Sequence, residues 1–304
     1  MVIDSFIFFN ELEMLEFRLE ELNDYVDYFV LVESDLTFMG EKKELYYKNN
    51  IEKFSKFNHK IIHVISELPK NLSNELKPEE YYEILGRPTA PDVAKIEEHL
   101  NLYKRNGSSY AAWTREYLQR NDIFKGINKI KVTDEDYIFI CDVDEIWDVN
   151  ILTELENNIT HRNHKFPFEG KLNQPIKLMQ TSYYYNLDCA GTWPTIATVL
   201  CRKSNIVEHG GCNSLRNMIL PRTNDYSGWH FSYFMDVERI KLKIRSFSHQ
   251  EYNTPYYVND NFIQDKIDKK IDLFERGPLF HHVPFNPKNY WPRNLDILKK
   301  LFNL

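Results

Sequence analysis

The stretch DYIFICDVDEIWD, residues 136–148, sets an apolar run directly before four carboxylates, Asp142, Asp144, Glu145 and Asp148. Like charges at that density destabilise a fold unless something positive sits among them. The segment therefore points to a bound cation or to a well-solvated turn. Along an extended chain the side chains alternate, so Asp142 and Asp144 share one side while Val143 points back toward a core. Two carboxylates so placed can hold a hard divalent ion and leave positions open for phosphate oxygens. Mg²⁺ or Mn²⁺ suits that set. Zn²⁺ suits it less, because tetrahedral zinc sites favour His and Cys ligands.

Such a turn needs elements to hold it. VIDSFIFF at the amino terminus reads as a strand, and NELEMLEFRLEEL, with Leu12, Leu15, Leu19 and Leu22 at helical spacing, as an amphipathic helix. VDYFVLVES, HKIIHVIS and DYIFICDVD read as three further buried strands with helical patterns between most of them. That alternation predicts an α/β fold with a mainly parallel central sheet flanked by helices. Residues 69–107, richer in proline and charge, read as an excursion from the sheet. Beyond residue 165, PIKLMQTSYYYNLDC and TIATVLCRKS alternate as antiparallel strands do, and a lysine-rich helical tail closes the chain from about residue 288. In an open α/β sheet, ligands bind beyond the carboxyl ends of the strands. Three such ends are polar here: Asn10 and Glu11, Glu33 and Ser34, and Asp142, Asp144 and Glu145. One alone reads as a helix cap or turn. Three around one sheet point to a site.

Composition narrows the classes. A chain of 304 residues, 42% hydrophobic, can bury a large core, so one large domain is expected. A formal charge of -7 and a pI near 5.8 argue against nucleic acid as a partner. The four cysteines form no CxxC pair and read as reduced thiols. No apolar run reaches the roughly 20 residues that span a bilayer, and MVIDSFIFFN has neither a basic leader nor a cleavage site. A soluble, cytoplasmic chain without a transmembrane segment is the expectation.

The blocks FIFFNELEMLEFRLEELNDYVDYFVLVESDLTFMGEKKELYY, WTREYLQRN, CDVDEI and GWHFSYF, in that order as far as about residue 250, resemble successive signatures of glycosyltransferase family 17. The resemblance implies a GT-A-type fold, with antiparallel additions in the C-terminal half. It also implies one catalytic domain over residues 1–304, with a nucleotide-sugar half (1–148), an acceptor half (149–287) and the helical tail (288–304). It further implies a UDP-sugar donor, a glycan acceptor, Mn²⁺ or Mg²⁺ at a DxD motif, and inverting transfer, with UDP-N-acetylglucosamine the first donor to try. Asp142 and Asp144 fall on the DxD, and Asn10, Glu11 and Glu33 on the amino-terminal motif.

Within that frame Asp144 is expected to coordinate the metal directly, and Asp142 to touch the ribose or the metal through water. Glu33 can accept from uracil or ribose. Arg115 or Arg120 can reach the diphosphate, and reads equally as an exposed helix salt bridge. In SGWHFSYF, Gly228 permits close backbone approach and Trp229 offers a flat face to an acceptor sugar. His230 can bond the acceptor or take its proton, or be an ordinary core histidine. His249 can complete the metal shell, or simply favour a helix C-terminus. Glu145, Asp188, Asp225, Glu251 and His230 are the candidates for the general base. Two rival readings stand beside this one. A haloacid-dehalogenase-like phosphatase also ends a strand in Asp-x-Asp, though usually near the amino terminus. The other is a non-catalytic carbohydrate-binding protein.

Overall fold

The computed structural model describes residues 1–72, 110–157 and 172–304, so most of the expected excursion over 69–107 lies outside it. β1 (Val2–Ile7), β2 (Tyr28–Glu33), β3 (Ile61–Ile65) and β4 (Tyr137–Asp142) pair in parallel in the order β3-β2-β1-β4. Their side chains alternate between two apolar layers. Phe6, Phe29, Leu31 and Phe139 enter one with Leu15, Leu19 and Leu22 of the helix Leu12–Leu22. Val30, Val32, Ile138 and Ile140 enter the other with Ile123 and Ile127 of the helix Ile123–Ile127. Burial on both faces is why these strands read as continuous apolar runs.

The chain lays down β1, β2 and β3 in one direction and then returns to place β4 on the other side of β1. The order of the sheet reverses between β1 and β4, the kind of position where loops diverge and ligands enter an α/β sheet. Asn10 and Glu11 follow β1, and the acidic turn follows β4, so both flank this point.

The expectation of a mainly parallel sheet holds only for this half. β5 (Glu145–Trp147), β6 (Ile176–Tyr184), β7 (Cys189–Gly191), β8 (Thr195–Cys201), β9 (Arg222–Ser232) and β10 (Phe280–His282) continue it. β8 runs antiparallel to β4 and β6, β7 to β6 and β10, and β5 to β9; β9 alone is parallel to β6. Connection length accounts for the β6–β7 pair: parallel neighbours need a long crossover, whereas a short turn joins β6 to β7, and the chain then crosses β6 so that β7 and β8 flank it in the same direction. The tail helix, Leu295–Phe302, docks beside the helix Leu12–Leu22, where Glu21 accepts the backbone N–H groups of Arg293 (2.9 Å) and Asn294 (2.8 Å). Among the described residues, no helix is long and apolar enough to cross a membrane.

Candidate active site

The acidic turn is shaped from below by Arg18, a fully buried residue of the helix Leu12–Leu22. Its Nε and Nη2 donate to the two oxygens of Asp4 on β1 at 2.7 and 2.5 Å. Its Nη1 donates to the carbonyl oxygens of Asp142 (3.2 Å), Val143 (3.3 Å) and Glu145 (2.6 Å). Asp4 is itself fully buried and also accepts from Trp147 Nε1 at 2.9 Å. A guanidinium presents its donors in a fixed fork, so one side chain sets the path of the whole turn.

Above the turn Asp142, Asp144 and Glu145 each meet a cation, and Asp148 accepts from the Tyr290 hydroxyl (2.6 Å). Asp142 accepts from Arg120 Nη2 (2.9 Å) and Arg216 Nη2 (2.7 Å). Glu145 takes Arg216 in a forked pair at 2.7 and 2.6 Å, and also accepts from Thr198 Oγ1 (2.9 Å) and the Asp142 N–H (3.1 Å). Asp144 and Glu11 share one ammonium, Lys243 Nζ, 3.2 Å from each. Burial alone would lift the Asp144 carboxyl, but Lys243 and His230 hold it far below the usual carboxylate range. Burial works against a charged Lys243, and Asp144 and Glu11 outweigh it and raise its pKa. Beside Glu11, the buried Oδ1 of Asn10 has no hydrogen-bond partner among the described residues.

His230 reaches this cluster through strand register. β5 pairs with β9 so that Glu145 faces His230, and Asp144 O accepts the Phe231 N–H at 2.9 Å. His230 Nδ1 lies 2.9 Å from Thr195 Oγ1, and Nε2 lies 2.8 Å from Ser232 Oγ and 3.6 Å from Asp144 Oδ1. Burial disfavours the charged ring, yet Asp144 raises its pKa above the ordinary histidine value. Gly228 makes the register possible: its φ is +149°, and a Cβ there would stand 2.3 Å from Ile146 O.

Four expected site residues lie elsewhere. Glu33 is fully buried. It accepts the N–H groups of Tyr47 (3.1 Å) and Lys48 (3.0 Å), with His63 Nε2 at 2.8 Å, so it holds the connection after β2 instead of facing a ligand. Arg115 donates to the carbonyls of Pro69, Phe38 and Lys70 at 2.9–3.2 Å, and Arg120, one turn on, is the arginine that faces Asp142. Trp229 is 2% exposed, its ring stacked 4.5 Å from Tyr290, so it has no free face for a sugar. β9 pairs on both sides, with β5 and with β6, which buries the indole. His249 faces Glu251 at 2.7 Å and meets Trp113 edge-on. Asp188 is paired with Lys270, and Asp225 caps the Tyr226 N–H. Of the base candidates, the structure brings only Glu145 and His230 to the turn. Sequence reasoning missed Arg18, Arg216 and Lys243. Only Arg18 left a signal, a charge inside the apolar stripe of its helix.

The turn as arranged does not fit a divalent ion. Both oxygens of Asp142 are held by arginines, and Asp144 carries Lys243. Among the described residues, no three His, Cys, Asp or Glu side chains are grouped to hold a metal.

Paired charges and a histidine at the reversal point of an α/β sheet equip a chain for group transfer, and this chain is a glycosyltransferase. It matches Glycosyltransferase family 17 over residues 1–83 and 93–282 and belongs to that family. No curated protein and no solved structure matches it.

Proposed function

We propose that the chain, as a GT-A-type enzyme, moves a sugar from a UDP-sugar to a glycan hydroxyl with inversion. UDP-N-acetylglucosamine is the donor that the family resemblance favours. The observation that carries this reading is the convergence of Glu11, Asp144, Lys243 and His230 beyond the carboxyl ends of β1 and β4. In such a transfer the bond from C1 to the diphosphate oxygen breaks and its electron pair leaves with the diphosphate. The acceptor oxygen bonds to C1 and its proton passes to a base. His230 is our choice for that base. Its side chain is 20% exposed, its Nε2 contacts the Ser232 hydroxyl, which an acceptor hydroxyl can replace, and Asp144 steadies the imidazolium that forms, whereas both Glu145 oxygens are held by the Arg216 guanidinium.

The test is a panel of nucleotide sugars with the purified chain, read as release of UDP or another nucleotide and, with a glycan present, as a trapped product. Turnover of a UDP-sugar is expected. Phosphate release from simple phosphomonoesters with no nucleotide-sugar turnover would restore the phosphatase reading. UDP binding without turnover would leave a binding protein.

On the acceptor side, Trp193 presents an exposed ring, 75% accessible in the turn between β7 and β8. Its carbonyl accepts from Ser182 Oγ (3.5 Å), and Ser182 Oγ lies 2.6 Å from the Thr195 hydroxyl that touches His230. This indole is the platform we assign to an acceptor pyranose. A stacking contribution of about 1 kcal/mol makes the acceptor KM of Trp193→Ala roughly fivefold higher. Donor hydrolysis should be unchanged, and an unchanged acceptor KM removes Trp193 from the site.

A further inference from the structure

Lys243 lies on the helix Val237–Ser246, which reaches back to the start of the helix Leu12–Leu22 through two side chains one turn apart. Arg239 Nη2 donates to Glu13 Oε2 at 2.8 Å, and Lys243 Nζ bridges Glu11 Oε1 and Asp144 Oδ2 at 3.2 Å each. The ammonium also sits 5.4 Å from the centre of the Tyr233 ring, and its side chain is 21% exposed. It is therefore fixed from three directions in the gap between two carboxylates, where a cation would be expected. A divalent ion arriving at Asp144 meets a positive charge already there.

We propose that Lys243 is a catalytic residue that supplies, from the chain itself, the positive charge facing the departing diphosphate, so that transfer proceeds without a divalent metal. The proposal rests on the glycosyl-transfer reading above and goes beyond it. An ammonium has three N–H donors. Glu11 and Asp144 take two, which orients the nitrogen and leaves the third for a diphosphate oxygen. As the bond from C1 to oxygen breaks, the electron pair settles on that oxygen, and the fixed ammonium stabilises it by a charge-assisted hydrogen bond. No proton passes from Lys243. The only proton transferred is that of the acceptor hydroxyl.

The experiment uses the full chain, its Lys243→Met variant, which keeps length without charge, and Lys243→Arg, which keeps charge. Turnover of UDP-N-acetylglucosamine is followed in EDTA and in Mn²⁺, and Mn²⁺ is separately titrated into the donor-free proteins by calorimetry. The unaltered chain should keep its turnover in EDTA. Lys243→Met should lose at least 100-fold in kcat in EDTA, with KM for the donor within threefold, and Lys243→Arg should regain part of the loss. Mn²⁺ should bind Lys243→Met more tightly than the unaltered chain, because Glu11 and Asp144 are then free. Turnover by the unaltered chain that is abolished by EDTA and restored by Mn²⁺ overturns the proposal, as does full EDTA-resistant turnover by Lys243→Met. If no nucleotide sugar turns over under any condition, the glycosyl-transfer reading has failed. The calorimetry then still judges the lysine: equal Mn²⁺ affinity in both proteins removes it from the cation position. Should Lys243→Met fail to fold, the EDTA and Mn²⁺ results on the unaltered chain decide.

Discussion

Transfer by His230→Ala is expected to fall by roughly 10²- to 10⁴-fold, the usual contribution of a positioned base. UDP affinity should stay within about threefold, a change under roughly 0.7 kcal/mol. The separation follows from where the ring is held, Nδ1 by Thr195 and Nε2 by Ser232 beside Asp144. A base acts in its neutral form, and Asp144 raises the His230 pKa. The acid limb of the kcat/KM profile should therefore lie above the ordinary histidine value of about 6.5, and Asp144→Asn should move it down. The sign for stability runs the other way. A raised histidine pKa stabilises the fold fully below about 6.5, and that contribution is lost as pH rises through the folded value. The lowered Asp144 pKa adds stability above about 3.9 that is lost as pH falls through the folded value, so the ion pair is strongest between these limits. Full activity in His230→Ala would make the residue structural, and loss of UDP binding in a folded variant would move it to the donor side.

The second large effect is on stability. Arg18→Met should destabilise the chain by about 3–5 kcal/mol, the range for breaking a buried ion pair from one side. The variant leaves Asp4 fully buried and without its cation, and strips three carbonyls of the acidic turn of their donor. Urea unfolding measures the loss. Adding Asp4→Leu should recover part of it, because the stranded charge is then gone. A loss below about 1 kcal/mol would mean that Asp4 and the turn find other partners.

Much of the parallel half was legible because its cause is local. Val30, Val32, Ile138 and Ile140 alternate with Phe29, Leu31, Phe139 and Cys141, and two-faced burial writes itself into such runs. The acidic turn was legible for the same reason, since four carboxylates follow one strand. What neutralises them was not. Arg216 and Lys243 lie 71 and 99 residues beyond the carboxylates Glu145 and Asp144 they pair with, on helices whose patterns say nothing of those partners. Chemistry read from side-chain type alone misplaced Trp229 and Glu33. An indole suits a sugar only when its strand leaves a face open, and a carboxylate at a strand end serves a helix N-terminus as readily as a ligand. Antiparallel pairing in the later sheet was legible in the alternation of PIKLMQTSYYYNLDC and TIATVLCRKS, whereas the share of the whole sheet that it takes was not.

The Glu145–His230 rung of the β5–β9 ladder gives the site an unusual kind of tolerance. Distance between the acidic turn and the histidine is counted in whole backbone steps. It can change only by a jump of one residue, which would present Trp229 or Phe231 in place of the imidazole. Gly228 blocks that slide, since no other residue fits against Ile146 O. Meanwhile the turn that bears Trp193 lies outside this ladder. On the acceptor role proposed for Trp193, changes in that turn would alter the glycan bound while leaving the spacing of Asp144 and His230 untouched.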